Sequence, residues 1–457
     1  PPQHPAPSPA ARSLGMPALL LLLAQPLAVQ GSLPSPARLV SLGGVDPRAR
    51  CLDGSPAVYY ISEGANRSAF VFHHQGGGWC QTLDECQSRA KGRLGSSRSY
   101  PHSMDLRSVD APPTAGPTKG HNHFDRDAKV NPLMFDWTMI YLPYCDGQSF
   151  AGDNVSATTP PLHFRGKAIR EATVASLRAT AGLAQATAAV VTGCSAGGAA
   201  AYFHTDWFAA QLPQAKTRGM PDSGWFLDGD YSRDGKPDYG ARMRNLYTMA
   251  NASAGLPPAC VAAHAEECLF AATVMPFIRT PLFAINSKFD ASMAAGTYNT
   301  DGGQGEYTCP EWKANMPAAK CNSSSVNAFG DFITRMMKTL IKPPHGAYLD
   351  SCYRHCGQVT DQLGGHGLGR LSSTAAFKRW FEGGVEALPD GGFLDQAQAF
   401  PCSDCCTAPA LELEPQHRGE SCPAVFVPAG SPLSAGGGNI GHLSNRTLQA
   451  CLEACCA

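Results

Sequence analysis

The amino-acid sequence predicts an α/β protein with a mostly parallel central sheet that is flanked by helices and stabilised by disulfides. Short apolar runs that stop at turn residues predict the strands, and Pro-free stretches between them predict the helices. A Gly-rich pentapeptide joins one such run directly to one such helix. Buried parallel strands are continuous apolar runs because helices cover both faces of their sheet, and alternation of strands with helices favours this architecture.

Four apolar runs are the predicted strands, and Gly, Pro or Asn follows each of them within a few residues. In chain order they are Ala69–His73, Thr138–Leu142, Ala188–Thr192 and Leu282–Ile285. Three helices are predicted, over Lys167–Leu183, Gly198–Leu212 and Asn327–Leu340. A Ser cluster, Ser323 to Ser325, is expected to cap the last helix, because Ser side chains accept hydrogen bonds from the first amides of a helix.

Charge and cysteine content limit the partners and the compartment of the protein. The 36 Lys and Arg residues are balanced by 37 Asp and Glu residues, so no nucleic-acid partner is predicted. The 18 cysteines predict disulfides formed in an oxidising compartment, and N-x-S/T sequons also favour the secretory route. We therefore expect a secreted protein without stable membrane insertion. The sequons are at Asn66, Asn154, Asn251, Asn322 and Asn445.

The pentapeptide Gly193–Gly197 has the pattern G-x-S-x-G and lies between the third predicted strand and the second predicted helix. This context is typical of the nucleophile elbow of α/β-hydrolases, a tight turn that excludes bulky neighbours. Ser195 is therefore the candidate nucleophile, and the Ala196 amide is a candidate oxyanion donor. A Gly-rich turn with no catalytic role could have the same pentapeptide. The prediction of a nucleophile therefore depends on the strand before it and the helix after it.

A second Gly-rich loop, Gln75–Trp79, follows the first predicted strand more than 100 residues before Ser195. In lipases and esterases a loop at this place supplies the other oxyanion amide, which makes Gly78 and Trp79 the candidate donors here. The alternative is a tight turn whose glycines merely adopt positive φ. The occurrence of both loops in the expected order favours the oxyanion hole.

A Ser…Asp…His order predicts the remaining members of a catalytic triad. Asp290 follows the fourth predicted strand, where it would orient an imidazole, and His355 lies between two cysteines, where it would act as general base. Other residues stay open as alternatives on spacing alone. The alternative histidines are His345, His366 and His417, and the alternative acids are Asp228, Asp230 and Asp301.

A zinc site must be weighed at Cys352-x-x-His355-Cys356, which contains three residues of metal-ligating type. Bridged cysteines are favoured over zinc ligands in a secreted chain that is dense in cysteine. The sequence also has neither an H-E-x-x-H nor an EF-hand pattern. We therefore predict neither a metal nor a cofactor.

These residues belong to a series of motifs that resembles the pectin acetylesterase family, whose relatives include the Notum carboxylesterases. The motifs are Cys51–Pro56, Gly76–Cys80, Tyr144–Phe150, Phe164–Lys167, Thr192–Gly198, Asp222–Asp228 and Ser351–Cys356. The resemblance implies the same nucleophile, acid, base and oxyanion donors that the residues themselves favour. One departure is Gln75, which stands where the family usually has Glu, although Gln keeps an acceptor oxygen.

The resemblance implies a serine carboxylesterase that hydrolyses acetyl esters on pectin-like polysaccharide and releases acetate, outside the cell or in the cell wall. The Notum-like alternative removes a fatty acyl group from protein or lipid. A third hypothesis is a non-catalytic hydrolase-like protein that binds glycans, which the presence of all three triad residues disfavours. An apolar tunnel beside Ser195 would favour the deacylase, and a shallow polar cleft would favour the polysaccharide esterase.

Three parts are predicted along the chain. Residues 1–36 form a leader with a signal peptide and a Pro-rich linker, because the apolar core Leu19–Leu23 is too short for a membrane span. Residues 37–388 form the α/β-hydrolase catalytic domain. Residues 389–457 form a Cys-rich C-terminal extension, which we interpret as a truncated module.

Some disulfides are suggested by spacing, although spacing alone does not determine connectivity. The candidate pairs are Cys80–Cys86, Cys309–Cys321 and the longer-range pair Cys51–Cys145. Cys194, beside the candidate nucleophile, is either free and buried or bridged.

Overall fold

The computed structural model describes residues 1–2, 36–109, 123–228, 239–290, 292–293, 323–356, 371–400 and 402. The strands in these ranges are β1 (Ala37–Ser41), β2 (Val58–Ser62), β3 (Asn66–His74), β4 (Ser103–Met104), β5 (Trp137–Leu142), β6 (Asn154–Val155), β7 (His163–Phe164), β8 (Ala188–Cys194), β9 (Lys216–Asp222), β10 (Phe283–Ser287), β11 (Gly346–Asp350) and β12 (Phe393–Asp395). The α-helices are α1 (Leu83–Arg89), α2 (Gly166–Thr180), α3 (Ala196–Gln211), α4 (Tyr239–Ala250), α5 (Pro258–His264), α6 (Ala271–Val274), α7 (Ser323–Leu340) and α8 (Ser373–Gly383).

Ten of these strands form one sheet in the order β12-β11-β10-β9-β8-β3-β5-β2-β1-β4. The neighbours from β12 to β5 are parallel. β2, β1 and β4 extend the other edge in antiparallel fashion, while β6 and β7 form a separate pair. The predicted mostly parallel sheet is confirmed, and its arrangement is that of an α/β-hydrolase. Loops at the carboxyl ends of the parallel strands are where such sheets hold their sites.

The four predicted strands are confirmed as β3, β5, β8 and β10. The central strand β9 was not predicted, because its sequence Lys-Thr-Arg-Gly-Met-Pro-Asp contains two residues that disfavour strands, Gly219 and Pro221. β9 nevertheless pairs with β8 over its full length, from Lys216 opposite Ala188 to Asp222 opposite Cys194. Pairing with established neighbours therefore outweighs its low intrinsic strand preference.

Helices cover both faces of the sheet, which explains why its central strands are apolar on both sides. Phe72 of β3 packs against Phe208 of α3, with ring centroids 4.7 Å apart. On the opposite face Phe283 of β10 packs against Trp380 of α8, with centroids 5.4 Å apart. The three predicted helices are confirmed as α2, α3 and α7, and α7 begins at Ser323, so the Ser cluster forms its first turn rather than preceding it.

Four disulfides join described cysteines. Cys51–Cys145 and Cys80–Cys86 are confirmed, and Cys260–Cys268 is a further short loop that spacing did not single out. Cys194 is bridged to Cys356, which answers the question that the sequence left open. The predicted pair Cys309–Cys321 lies outside the described residues.

The predicted leader and most of the Cys-rich extension also lie outside the described residues, and both stay predictions. Part of the sheet is formed after residue 388, because β12 pairs with β11 in parallel. Among the described residues, no helix combines the length and the apolar character that a membrane span needs.

Candidate active site

The turn between β8 and α3 carries Ser195 in an unusual backbone conformation, with φ 60° and ψ −124°. A non-glycine residue with positive φ costs free energy, so its neighbours must hold it in place. The Ser195 amide donates to Asp222 O at 3.1 Å, and β8 and α3 constrain the residue from both sides. Its Oγ forms no hydrogen bond with any described residue, which leaves the hydroxyl free for a substrate.

Close backbone packing explains the glycine of this turn. A Cβ atom on Gly197 would lie 1.9 Å from the carbonyl oxygen of His74 at the end of β3. No side chain fits there, so the start of α3 can approach β3 only with glycine at this position. This is the physical basis of the glycine pattern around Ser195.

Asp290 and His355 meet at the carboxyl edge of the sheet, after β10 and β11. His355 Nδ1 lies 2.9 Å from both Oδ1 and Oδ2 of Asp290. The Asp290 side chain is fully buried, and its Oδ1 also accepts from the amides of Ser292 and Met293. A carboxylate only accepts, so Nδ1 carries the proton and Nε2 of the neutral ring is left as the basic atom. Nε2 has no hydrogen-bond partner among the described residues.

Charge and burial act in opposite directions on the pKa of His355. Burial lowers this pKa, but the charge of Asp290, its hydrogen bond and the more distant Asp222 raise it, and the net direction is upward. The imidazolium is thus stabilised by the carboxylate that orients it. A base of this kind can accept a proton from a hydroxyl and hold it until a leaving group takes it.

The Cys194–Cys356 disulfide connects the residue before Ser195 to the residue after His355. Its two Cα atoms are 5.4 Å apart although 162 residues separate them in the sequence. The bond therefore keeps the candidate base beside the candidate nucleophile. The possible ligand atoms of Cys194, His355 and Cys356 all lie within 4.8 Å of one another, a spacing that could suit a metal ion. Because the two sulfurs are bonded to each other, neither is available as a thiolate ligand.

Ser223, directly after β9, supports the histidine loop, a role that sequence reasoning missed. The amide of Cys356 donates to Ser223 Oγ at 2.9 Å, and this hydroxyl donates to Asp222 Oδ1 at 3.0 Å. Ser223 adopts a positive φ of 48° and its amide donates to Ile285 O on β10. The sequence motif Asp222–Asp228 contains Ser223 and could have indicated this role, but no function was predicted for the motif.

Removing the Cys194–Cys356 bond is expected to lower kcat about 10- to 100-fold with little change in KM, because a displacement near 1 Å already costs this much in positioned chemistry. The test is steady-state hydrolysis of p-nitrophenyl acetate by the double variant Cys194→Ala/Cys356→Ala. The matched control is Cys260→Ala/Cys268→Ala, which removes a disulfide from a different loop. A wild-type kcat in the first variant would contradict the positioning role.

The loop after β3 holds the candidate oxyanion donors. Its Gly76 is so close to the turn that a Cβ atom there would lie 3.0 Å from Ser195 Cβ. The amides of Gly78, Trp79 and Ala196 donate to no acceptor among the described residues. Free amides beside the candidate nucleophile are what a developing oxyanion needs.

Arg89, at the end of α1, fixes the orientation of this loop. Its Nη2 donates to Gly77 O at 2.9 Å and to Gly78 O at 3.4 Å. The C=O and N–H of a trans peptide point in opposite directions, so the amides of Gly78 and Trp79 point away from Arg89. Gln75 Oε1 accepts from the Tyr144 amide at 2.9 Å, so the acceptor role expected of this Gln is used.

The alternative acids and bases take other places. His345 precedes β11, and its Nδ1 accepts from the Leu282 amide at 3.3 Å, at the amino end of the strands. Asp228 forms an ion pair with Arg244. The remaining alternatives, Asp230, Asp301, His366 and His417, lie outside the described residues.

Comparison of the sequence with known proteins assigns the chain to a family. Residues 38–382 match the model of the pectinacetylesterase family. The chain belongs to the pectinacetylesterase family. It is therefore a carboxylic ester hydrolase. This activity is consistent with an α/β-hydrolase sheet that carries Ser195 in the turn after β8 and a hydrogen-bonded Asp290–His355 pair.

Individual relatives fall into two groups. The chain is 31% identical to pectin acetylesterase 7 of Arabidopsis thaliana over 356 residues, which cover 73% of this chain and 84% of the relative. It is 30% identical to pectin acetylesterase 5 of the same plant over 322 residues, 68% of this chain and 71% of the relative. It is 28% identical to the human palmitoleoyl-protein carboxylesterase NOTUM over 259 residues, 52% of this chain and 48% of the relative.

Proposed function

We propose that this pectinacetylesterase family member is a secreted serine esterase that removes acetyl groups from pectin-like polysaccharide. The observation that carries the proposal is the hydrogen-bonded Asp290–His355 pair, tethered by a disulfide beside the free hydroxyl of Ser195. Secretion is supported by the disulfides, which persist in oxidising compartments.

The proposed reaction proceeds in two steps. Ser195 Oγ attacks the acetyl carbonyl carbon while His355 Nε2 takes the hydroxyl proton, and the amides of Gly78, Trp79 and Ala196 stabilise the oxyanion. Collapse expels the sugar oxygen, which takes the proton from His355 and leaves as a hydroxyl. Water then attacks the acetyl-enzyme with His355 again as base, which releases acetate and restores Ser195.

Acetyl groups on a polymer are favoured over fatty acyl groups for two reasons. The relatives named pectin acetylesterase align over more of their own length than NOTUM does, 84% and 71% against 48%. The groove beside the loop after β3 also carries charged side chains, since Glu85, Arg89 and Arg93 line it. A fatty acyl chain would gain little from such a surface.

The substrate class is tested by comparing kcat/KM for p-nitrophenyl acetate and p-nitrophenyl palmitate, together with acetate release from acetylated pectin. We expect the acetyl ester to be preferred at least about tenfold, a difference worth about 1.4 kcal/mol, and acetate to be released from the polymer. Ser195→Ala is the inactive control. A preference for palmitate would assign the protein to the deacylase alternative, and equal inactivity of wild type and Ser195→Ala on every ester would favour the glycan-binding alternative.

A further inference from the structure

The motif Tyr144–Phe150 follows β5 and has no role in the chemistry proposed above. Within it Ser149 adopts a positive φ of 47°, and the next residue, Phe150, adopts a positive φ of 60°. Two successive non-glycine residues in this region cost free energy, and such conformations persist only where the surrounding structure holds them, often at functional sites. Specific contacts of Ser149 must therefore maintain this conformation.

Every polar group of Ser149 is bonded to the protein, and the residue is fully buried. Its amide donates to Tyr144 Oη at 3.0 Å. Its carbonyl oxygen accepts from His204 Nε2 at 2.8 Å, so Nε2 of that ring carries the proton. Burial lowers the pKa of His204 well below its usual value, which keeps the ring neutral in this arrangement. The backbone of Ser149 is thus fixed from both sides.

The hydroxyl of Ser149 joins two of the candidate oxyanion donors. Its Oγ accepts from the indole Nε1 of Trp79 at 2.9 Å and donates to the carbonyl oxygen of Ala196 at 2.8 Å. Trp79 belongs to the loop after β3, and Ala196 begins α3 after β8. One buried hydroxyl therefore links the two separate segments that supply amides to the candidate oxyanion hole.

The indole of Trp79 is held on its other sides by aromatic rings. Its centroid lies 4.8 Å from that of Phe226 and 6.0 Å from that of Tyr239, and both contacts are edge-to-face. The amide nitrogen of Trp79 is attached to the same Cα that carries the indole, so anchoring the ring also anchors this amide. Ser149 thus acts through Trp79 and Ala196, and not on the substrate.

We propose that Ser149 is a positioning residue for the oxyanion hole, and that its hydroxyl holds the amides of Trp79 and Ala196 at the separation that one oxyanion requires. The proposal rests on the proposed function, because it takes the oxyanion donors from that mechanism. The oxyanion exists in the transition states and not in the bound ester. Misplaced donors therefore lower kcat and leave KM nearly unchanged.

The test is steady-state hydrolysis of p-nitrophenyl acetate by Ser149→Ala and Ser149→Gly. Both variants remove the hydroxyl, but glycine adopts positive φ without strain and so preserves the backbone of the loop. Both should lower kcat about 100-fold, the cost of a displacement near 1 Å in positioned chemistry. The pH at which kcat/KM rises on the acidic side should stay at its wild-type value, because Asp290 and His355 are unchanged.

Two results of this test would overturn the proposal. A wild-type kcat in Ser149→Gly would show that Ser149 serves only the conformation of its own loop. A shift of the acidic rise in kcat/KM would show that the base, and not the oxyanion hole, is disturbed.

A double-variant cycle tests the bond between Ser149 and the indole. Trp79→Phe keeps the backbone amide and a ring beside Phe226 and Tyr239, but it removes the Nε1 donor, so it should also lower kcat. The double variant Ser149→Ala/Trp79→Phe should be no slower than Ser149→Ala alone, because both changes break the same bridge. Losses that multiply in full would overturn the proposal.

Ser176→Ala is the matched control, because Ser176 is also buried and its Oγ lies 2.9 Å from the hydroxyl of an aromatic residue, Tyr59. It lies in α2 and contributes to neither oxyanion segment. Its replacement should keep kcat at the wild-type value, whatever the change in melting temperature. An equal loss of kcat in Ser176→Ala would attribute the effect of Ser149 to general destabilisation and overturn the proposal.

Nuclear magnetic resonance of the indole N–H groups separates this proposal from the proposed function, because it needs no turnover. The Trp79 resonance is assigned by its absence in Trp79→Phe, and it should shift in Ser149→Ala but not in Ser176→Ala. An unshifted resonance overturns the role of Ser149 even if acetate is released from acetylated pectin. A wild type that hydrolyses p-nitrophenyl acetate but releases no acetate from pectin rejects the proposed polymer substrate, and the loss of kcat in Ser149→Gly still supports the positioning role.

Discussion

Replacing Ser195 with alanine is expected to lower kcat on p-nitrophenyl acetate by about 10⁶-fold, because the covalent pathway that we propose depends on its hydroxyl. The fold should survive the change. Ser195 Oγ forms no hydrogen bond with any described residue, and alanine keeps the Cβ atom that the turn already accommodates at φ 60°. The loss should therefore appear in kcat and not in thermal stability.

The measurement combines steady-state kinetics with a thermal melt, and mass spectrometry after treatment with a fluorophosphonate. The wild-type protein should gain one phosphonyl group on Ser195, and Ser195→Ala should gain none. Ser41→Ala on β1 is the control for serine removal far from the turn, and it should keep full activity. Residual activity of Ser195→Ala within tenfold of wild type would rule out Ser195 as the nucleophile.

Replacing Asp290 with asparagine should lower kcat by about 10⁴-fold, the effect expected when a neutral amide no longer enforces the correct histidine tautomer. Asp290 is fully buried and both of its oxygens lie 2.9 Å from His355 Nδ1, so the substitution removes a charge at a position that solvent does not reach. The asparagine amide can donate to Nδ1, which would move the ring proton to Nε2 and remove the base.

The pH dependence of the residual activity gives a second readout of Asp290. His355 must be neutral to act as base, so kcat/KM rises as pH increases through its pKa. Burial lowers the pKa of His355, but Asp290 outweighs burial and raises it above the ordinary histidine value, so we expect the acidic limb of the wild-type pH–activity profile to lie above pH 6.5. Without the carboxylate charge the desolvation effect dominates, and the limb should move to lower pH.

Asp228→Asn is the matched control for this prediction. Asp228 is an acid that sequence spacing left open for the triad, yet it forms an ion pair with Arg244. Its replacement should change neither kcat nor the pH at which kcat/KM rises on the acidic side of the profile. An Asp290→Asn variant whose acidic limb stays at the wild-type pH would show that another group sets the titration of the base.

The sequence correctly predicted those elements that depend on residues close together along the chain. β8 and α3 flank Gly193–Gly197 in the order that the pentapeptide predicts, because strand pattern, tight turn and helix start all lie within one short window. Likewise the apolar run of β3 and the glycines after it predicted a loop near the candidate nucleophile. The free amides of Gly78 and Trp79 and the Asp290–His355 pair are compatible with the roles proposed from chain order.

Other features depend on contacts that no local window contains. β9 forms although Gly219 and Pro221 disfavour it, because β8 and β10 supply its hydrogen-bond partners. Arg89 reaches the carbonyls of the loop after β3 only because α1 folds back beside that loop.

The sequence by itself determined the fold class, the family resemblance and the candidate reactive residues, since these are expressed in periodicity and short motifs. Only the tertiary structure decided that Cys194 is bonded to Cys356, that Ser223 supports the histidine loop and that Arg89 holds the loop after β3. The physical reason is chain connectivity. Residues 162 positions apart become neighbours through the order of strands in the sheet, and spacing along the chain does not specify that order.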